Sequence, residues 1–186
     1  MQAVEIAEGI YWVGALDWNG RNFHGFATPR GTSYNAYLIL DEKNVLIDGV
    51  KTPFLGEMMA RVRSVIDPRE IDLIISDHAE GDHASGLPMI QHLTGAEILT
   101  SKKGVETLRA NYGEMRMRGV KDGEELSIGK RTLRFIETPM VHWPESMFTY
   151  AKEDRILFSM DAFGQHFCSS QRFDDQVDLG VLMEEA

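Results

Sequence analysis

The chain has 186 residues, 43% of them hydrophobic and 26% charged, enough to bury the core of one domain without covalent staples. Its 29 acidic residues outnumber the 19 basic ones for a formal charge of -10, which argues against nucleic acid or an anionic membrane as partner. The lone cysteine, Cys168, excludes an intramolecular disulfide and any cysteine-rich metal cluster, and suits a reducing cytoplasm.

Residues 9–15 alternate β-forming side chains, and 33–40 with 44–47 read as a hairpin turning at Asp41, Glu42 and Lys43. Between them, residues 17–31 carry Gly20, Gly25 and Gly31 with little periodicity, which marks a functional loop. Residues 53–65 place Leu55, Met58, Met59 and Val62 at helical spacing, and Asp67-Pro68 stops the helix. The run 71–76 is nearly all apolar, as expected of a strand covered on both faces. A polar loop follows, then a helix at 84–93, a second buried strand at 97–100 and a helix at 102–112. Further strands are predicted at 125–128, 132–137, 147–151 and 156–159, whereas the acidic stretch 163–186 supplies no closing strand. Hairpins, then βαβ units, then more strands predict a single α/β domain over 1–186 with a mixed, layered sheet. The N-terminus lacks the pattern of a secretory signal, and no apolar run approaches the roughly 20 residues of a membrane helix. The expected location is the cytoplasm.

The segment Ser76-Asp77-His78-Ala79-Glu80-Gly81-Asp82-His83 follows the buried strand directly. In an extended chain, residues two apart project to the same side, so His78, Glu80 and Asp82 are expected to converge. One imidazole and two carboxylates held together repel without a cation, and the C-terminal ends of strands in α/β sheets are where ligands bind. The competing reading is a solvated loop with Asp82 as a helix N-cap. His142 lies in Pro139-Met140-Val141-His142-Trp143-Pro144 between two strands, and Asp161 follows the apolar strand 156–159. Ligand-type residues thus stand at three successive strand ends.

These motifs resemble the metallo-β-lactamase superfamily and, within it, the flavodiiron proteins. The superfamily pattern HxHxDH becomes HxExDH here because Glu80 takes the second position. The segments HWPESMFTY, LFSMDAFGQHFCSS, RNFHGF and RGTSYNAYLI carry the same resemblance from about Trp12 to about Ser170. It implies a metallo-β-lactamase-like αβ/βα sandwich holding two non-haem irons that reduce O2 to water or NO to N2O, with electrons from a flavin or rubredoxin-like donor. By this resemblance His78, Glu80 and His142 hold one iron, Asp82 holds the other, Asp161 bridges them, and His83 is a neighbour of the metals. The carboxylate-rich donors favour iron or manganese over zinc. By the same resemblance His24 lies near the metals, able to donate a hydrogen bond to bound O2 or NO; the alternative is a loop histidine with no role. Tyr150, Trp143 and the methionines read as packing residues, His92 as structural or exposed, and His166 and Cys168 as having no ligand role.

The family's final metal-binding histidine and the flavodoxin-like domain with its FMN have no counterpart in this sequence, so the expected sandwich is incomplete at its C-terminal end. The chain is then a fragment, half of a split protein or a short variant, and is expected to form a homo-oligomer or to be completed by another chain. Two other functions fit the motifs: a zinc-dependent hydrolase of the wider superfamily, and a non-catalytic di-iron module sensing O2 or NO.

Overall fold

A computed structural model describes residues 1–185. The first third folds as short strands: β1 (Val4–Ala7), β2 (Ile10–Trp12), β3 (Ala15–Asp17), β4 (Asn22–Phe23), β5 (Phe26–Ala27), β6 (Thr32–Tyr34), β7 (Tyr37–Ile39) and β8 (Asn44–Ile47). Helices and strands then alternate through α1 (Leu55–Arg63), β9 (Ile71–Ile75), α2 (Gly81–Ala84), α3 (Leu87–Thr94), β10 (Glu97–Ser101), α4 (Lys102–Tyr112) and β11 (Met117–Val120). Four strands follow, β12 (Glu125–Ser127), β13 (Thr132–Glu137), β14 (Met147–Ala151) and β15 (Ile156–Phe158), and then α5 (Leu179–Glu185).

A seven-stranded sheet, in the order β1-β2-β7-β8-β9-β10-β11, forms the central layer. Its first strands pair antiparallel and β8 to β11 run parallel, so the buried strands β8, β9 and β10 end together at one edge. Period-two alternation divides the core into two apolar clusters. Leu46, Ile74 and Ile98 face Met58 and Val62 of α1, Leu87 and Ile90 of α3, and Leu108 of α4. Val45, Ile47, Ile75 and Leu99 face the opposite way, onto Leu133, Phe135, Met147, Ala151 and Phe158 of the antiparallel sheet β12-β13-β14-β15. Helices, large sheet and small sheet thus make three layers, and the expected α/β sandwich is what forms.

Several predicted elements divide or shift. Residues 33–40 split, because β6 pairs with β3 while β7 enters the large sheet beside β2. The helix predicted over 84–93 forms as α3, starting three residues later, and a separate turn α2 precedes it across Ser85 and Gly86. A Cβ at Gly86 would lie 2.9 Å from the Val50 carbonyl, so only glycine lets the chain pass that close. β1 and β11, the edges of the large sheet, carry no apolar run that marks them. Residues 163–185 contain a 3-10 turn at Asp174–Gln176 and α5, whose Glu184 and Glu185 pair with Arg30. Among the described residues no helix is long and apolar enough to cross a membrane.

At the sheet edge opposite the strand ends, one bracket joins the two sheets. Asp41 Oδ1 and Oδ2 accept from the backbone amides of Lys130 and Arg131 at 2.9 and 3.0 Å. Arg131 donates to Asp154 from Nε at 2.8 Å and from Nη2 at 3.1 Å, and its guanidinium also reaches the carbonyls of Leu40 and Glu8.

Candidate metal centre

Three loops converge at the C-terminal edge of the large sheet. The first leaves β9 at Ser76, whose hydroxyl donates to the His78 carbonyl at 3.1 Å. His78 is fully buried, and its Nε2 lies 3.2 Å from Glu80 Oε2 and 3.5 Å from Asp161 Oδ2. The second loop, between β13 and β14, brings His142 Nε2 within 3.3 Å of Glu80 Oε2 and 3.1 Å of Asp161 Oδ2. The third, after β15, carries Asp161. His78, Glu80, His142 and Asp161 offer ligand atoms that all lie within 4.8 Å of one another.

The expected convergence of Asp82 with His78 and Glu80 takes another form. Only His78 and Glu80 lie in extended chain; Gly81 begins the turn α2, in which Asp82 and His83 are consecutive. Helical rotation directs both of them away from Glu80 and into a second group with Asp161. His83 Nε2 stands 2.8 Å from Asp161 Oδ1 and 3.9 Å from Asp82 Oδ2. Asp161 therefore presents Oδ2 to the first group and Oδ1 to the second. Asp82 is not the N-cap of α2: that position belongs to Glu80, which makes no side-chain cap bond. His83, expected only as a neighbour, is as well placed for a second cation as Asp82.

Two buried carboxylates stand behind the histidines. Glu145 Oε1 lies 2.9 Å from His78 Nδ1 and also accepts from the Ala79 amide at 3.1 Å. Asp48, at the end of β8, accepts from the Asp77 amide through Oδ1 at 2.8 Å, and its Oδ2 lies 3.1 Å from His83 Nδ1. Neither residue stands out in the sequence; an aspartate closing a buried strand parallel to β9 was the available signal for Asp48.

The electrostatics are those of a site built around positive charge. Burial acts to lower the His78 pKa, but the hydrogen bonds to Glu145 and Glu80 outweigh it and bring it to about 9. Burial opposes protonation of His83 as well, and Asp161 and Asp48 raise its pKa well above the ordinary value. Burial alone would raise the Asp161 pKa; the bond to His83 and the charges of His83 and His78 hold it well below the usual carboxylate range. Desolvation raises Asp82, whose Oδ1 is buried without a hydrogen-bond partner. That orphaned oxygen, with imidazole nitrogens aimed at carboxylates, fits a hard metal cation at each group.

His24, at the turn between β4 and β5, places Nε2 2.6 Å from Glu80 Oε1 while 61% of its side chain stays exposed. It lines a cavity of about 520 Å3 over the site together with Phe23, Trp143, Met160 and His166. Trp143, expected to pack, does so against a candidate ligand: its ring meets His78 edge-on at 5.2 Å. The backbone is unusual here too. Among the described residues six non-glycine positions have positive φ: His24 and Met160 line the cavity, Asp48 stands behind His83, Met140 and Phe163 each lie two residues from a candidate ligand, and Arg155 is remote.

A three-layer α/β sandwich with two histidine–carboxylate groups sharing one aspartate at the strand ends defines the metallo-β-lactamase class of metal-binding domains. Residues 32–179 match the family described as "ODP family beta lactamase", and the chain belongs to that family. A nitric oxide reductase of Moorella thermoacetica is 50% identical over 190 residues, spanning 100% of this chain and 48% of that protein. The solved rubredoxin oxygen:oxidoreductase of Desulfovibrio gigas superposes with a TM-score of 0.95 at 43% identity, covering 99% of this chain and 47% of that one. The flavodiiron protein of Giardia intestinalis gives the same TM-score and identity over 100% of this chain and 46% of its own. The chain spans about half the length of the relatives it matches.

Proposed function

We propose that this chain is the di-iron module of an oxidoreductase that reduces O2 to water, NO to N2O, or both. His78, Glu80 and His142 would hold one iron and Asp82 and His83 the other, with Asp161 offering one oxygen to each. The single observation that carries this reading is the paired arrangement of the two groups around Asp161. The relatives named for nitric oxide or oxygen reduction support the choice of substrate.

An iron pair held by these residues would supply electrons and Lewis acidity to a diatomic substrate. The chain's own residues do the rest. Glu80 and Asp161 hold the negative charge that a cation between the imidazoles would neutralise. His24 Nε2, beside Glu80 and facing the cavity, holds a proton within reach of a bound ligand. Phe23 and Trp143 cover the site with apolar rings that limit water. The electrons come from a flavin or rubredoxin-type donor; FMN would be that flavin, and a second copy or another chain would bring it to the cavity.

The test is anaerobic loading with Fe(II), elemental analysis, and consumption of O2 and NO with reduced rubredoxin or reduced FMN as donor. Near two irons per chain with turnover of either gas is the expected result. Zinc retained in preference to iron, with ester hydrolysis and no gas consumption, would overturn the reading.

A further inference from the structure

We infer that Asp48 is a positioning residue that fixes the tautomer of His83, and thereby decides whether the second metal position exists. The inference rests on the two-metal reading above. A histidine binds a metal through one nitrogen only if the other carries the remaining proton, and the group facing that other nitrogen selects the tautomer. Asp48 Oδ2 faces His83 Nδ1 at 3.1 Å and can only accept there, so when Nε2 gives up its proton to a cation beside Asp161 and Asp82 the remaining proton stays on Nδ1.

The geometry separates Asp48 from the similar carboxylate Glu145. Glu145 uses the same oxygen, Oε1, for the Ala79 amide and for His78 Nδ1. A glutamine there can keep its carbonyl oxygen in that place and preserve both bonds, losing only the negative charge. Asp48 uses its two oxygens for different partners: Oδ1 takes the Asp77 amide at 2.8 Å and Oδ2 takes His83. An asparagine must keep its carbonyl toward the Asp77 amide and so turns its NH2 toward His83 Nδ1. An NH2 donates, Nδ1 must then accept, and the proton moves to Nε2, where it blocks the metal. The backbone tolerates the exchange, because Asp48 has φ of +56° and asparagine is among the residues that adopt this region readily. Asp48 is also only 3% exposed, so water cannot restore the lost acceptor.

The experiment compares wild type, Asp48→Asn and Glu145→Gln as metal-free full chains titrated with Fe(II) against a chelator, with Mössbauer spectra of the 57Fe-loaded proteins. Wild type should show two binding steps and two iron environments. Asp48→Asn should weaken one step about 100-fold and leave the other, and Glu145→Gln should weaken the other by about 10-fold or less. On a His142→Ala background, which disables the first position, Asp48→Asn should abolish the remaining iron signal. Thermal melts of the metal-free variants check folding, and if Glu145→Gln fails to melt cooperatively, Glu145→Asp replaces it. Equal loss of both steps in Asp48→Asn, or no loss, overturns the inference. A wild-type chain that binds fewer than two irons overturns the two-metal reading itself.

Discussion

Stability of the metal-free chain and its affinity for metal should respond to pH in opposite directions, and His78 sets the window. Its folded pKa of about 9 lies above the ordinary value of 6.5. A group raised in this way stabilises the fold fully below its unfolded pKa and loses that contribution as pH rises through the folded one. For His78 the contribution is about 3 kcal/mol, and it disappears between pH 6.5 and about 9. Metal needs the opposite state, because Nε2 must shed its proton to become a ligand. Fe(II) affinity at the His78 position should therefore rise about tenfold per pH unit through the same interval. His83, also raised, adds a proton of its own at the second position. Urea unfolding of the metal-free chain and chelator competition for Fe(II), both run across that interval, measure the two slopes. Metal-free stability that rises with pH, or an affinity that is flat, would refute the reasoning, since either means that His78 and His83 enter the folded state neutral.

Three further outcomes follow from the geometry. Asp161→Asn removes the residue common to both groups, so iron content should fall from about two per chain to one or less, by elemental analysis. His24→Ala should keep its iron but reduce O2 or NO about 100-fold more slowly, because the proton held at Nε2 is lost while the ligands stay. Arg131→Met strips a side chain only 14% exposed of its bidentate pair with Asp154, and should cost about 2–4 kcal/mol in urea unfolding. A double variant with Asp154→Asn should lose little more than Arg131→Met alone, since the Leu40 and Glu8 contacts go with the arginine.

Much of this architecture was legible in the sequence where local signals and burial agree. The helix Lys102–Tyr112 begins at a Ser101 cap that accepts from the Gly104 amide, ends before Gly113, and forms as predicted. The strands Thr132–Glu137 and Met147–Ala151 alternate buried positions with half-buried or exposed ones, and they too form as predicted. What local pattern could not reveal depends on partners far along the chain. β11 is a strand because Ile98 to Ser101 pair with Met117 to Val120, and of its own residues only Val120 is buried. At the site, His78, Glu80, His142 and Asp161 were readable from chemistry and position. His83 was visible too, but its orientation came from the helical turn at Gly81 and from Asp48, contacts that no spacing encodes. Glu145 carries no local signal, because its partner His78 lies 67 residues away in the chain.

The left-handed backbone around the cavity bears on how this protein would change under selection for durability. A non-glycine residue in that region costs about 1–2 kcal/mol, and His24 and Met160, which line the cavity, are two such residues. Glycine at Met160, whose φ is +45°, would relieve part of that cost and be favoured in a screen for heat resistance. It would also loosen Asp161, the next residue, on which both groups depend. Screens that reward endurance alone would therefore accumulate changes here and erode the reactive centre, whereas gains sought at the Arg131 end of the sandwich would leave it intact.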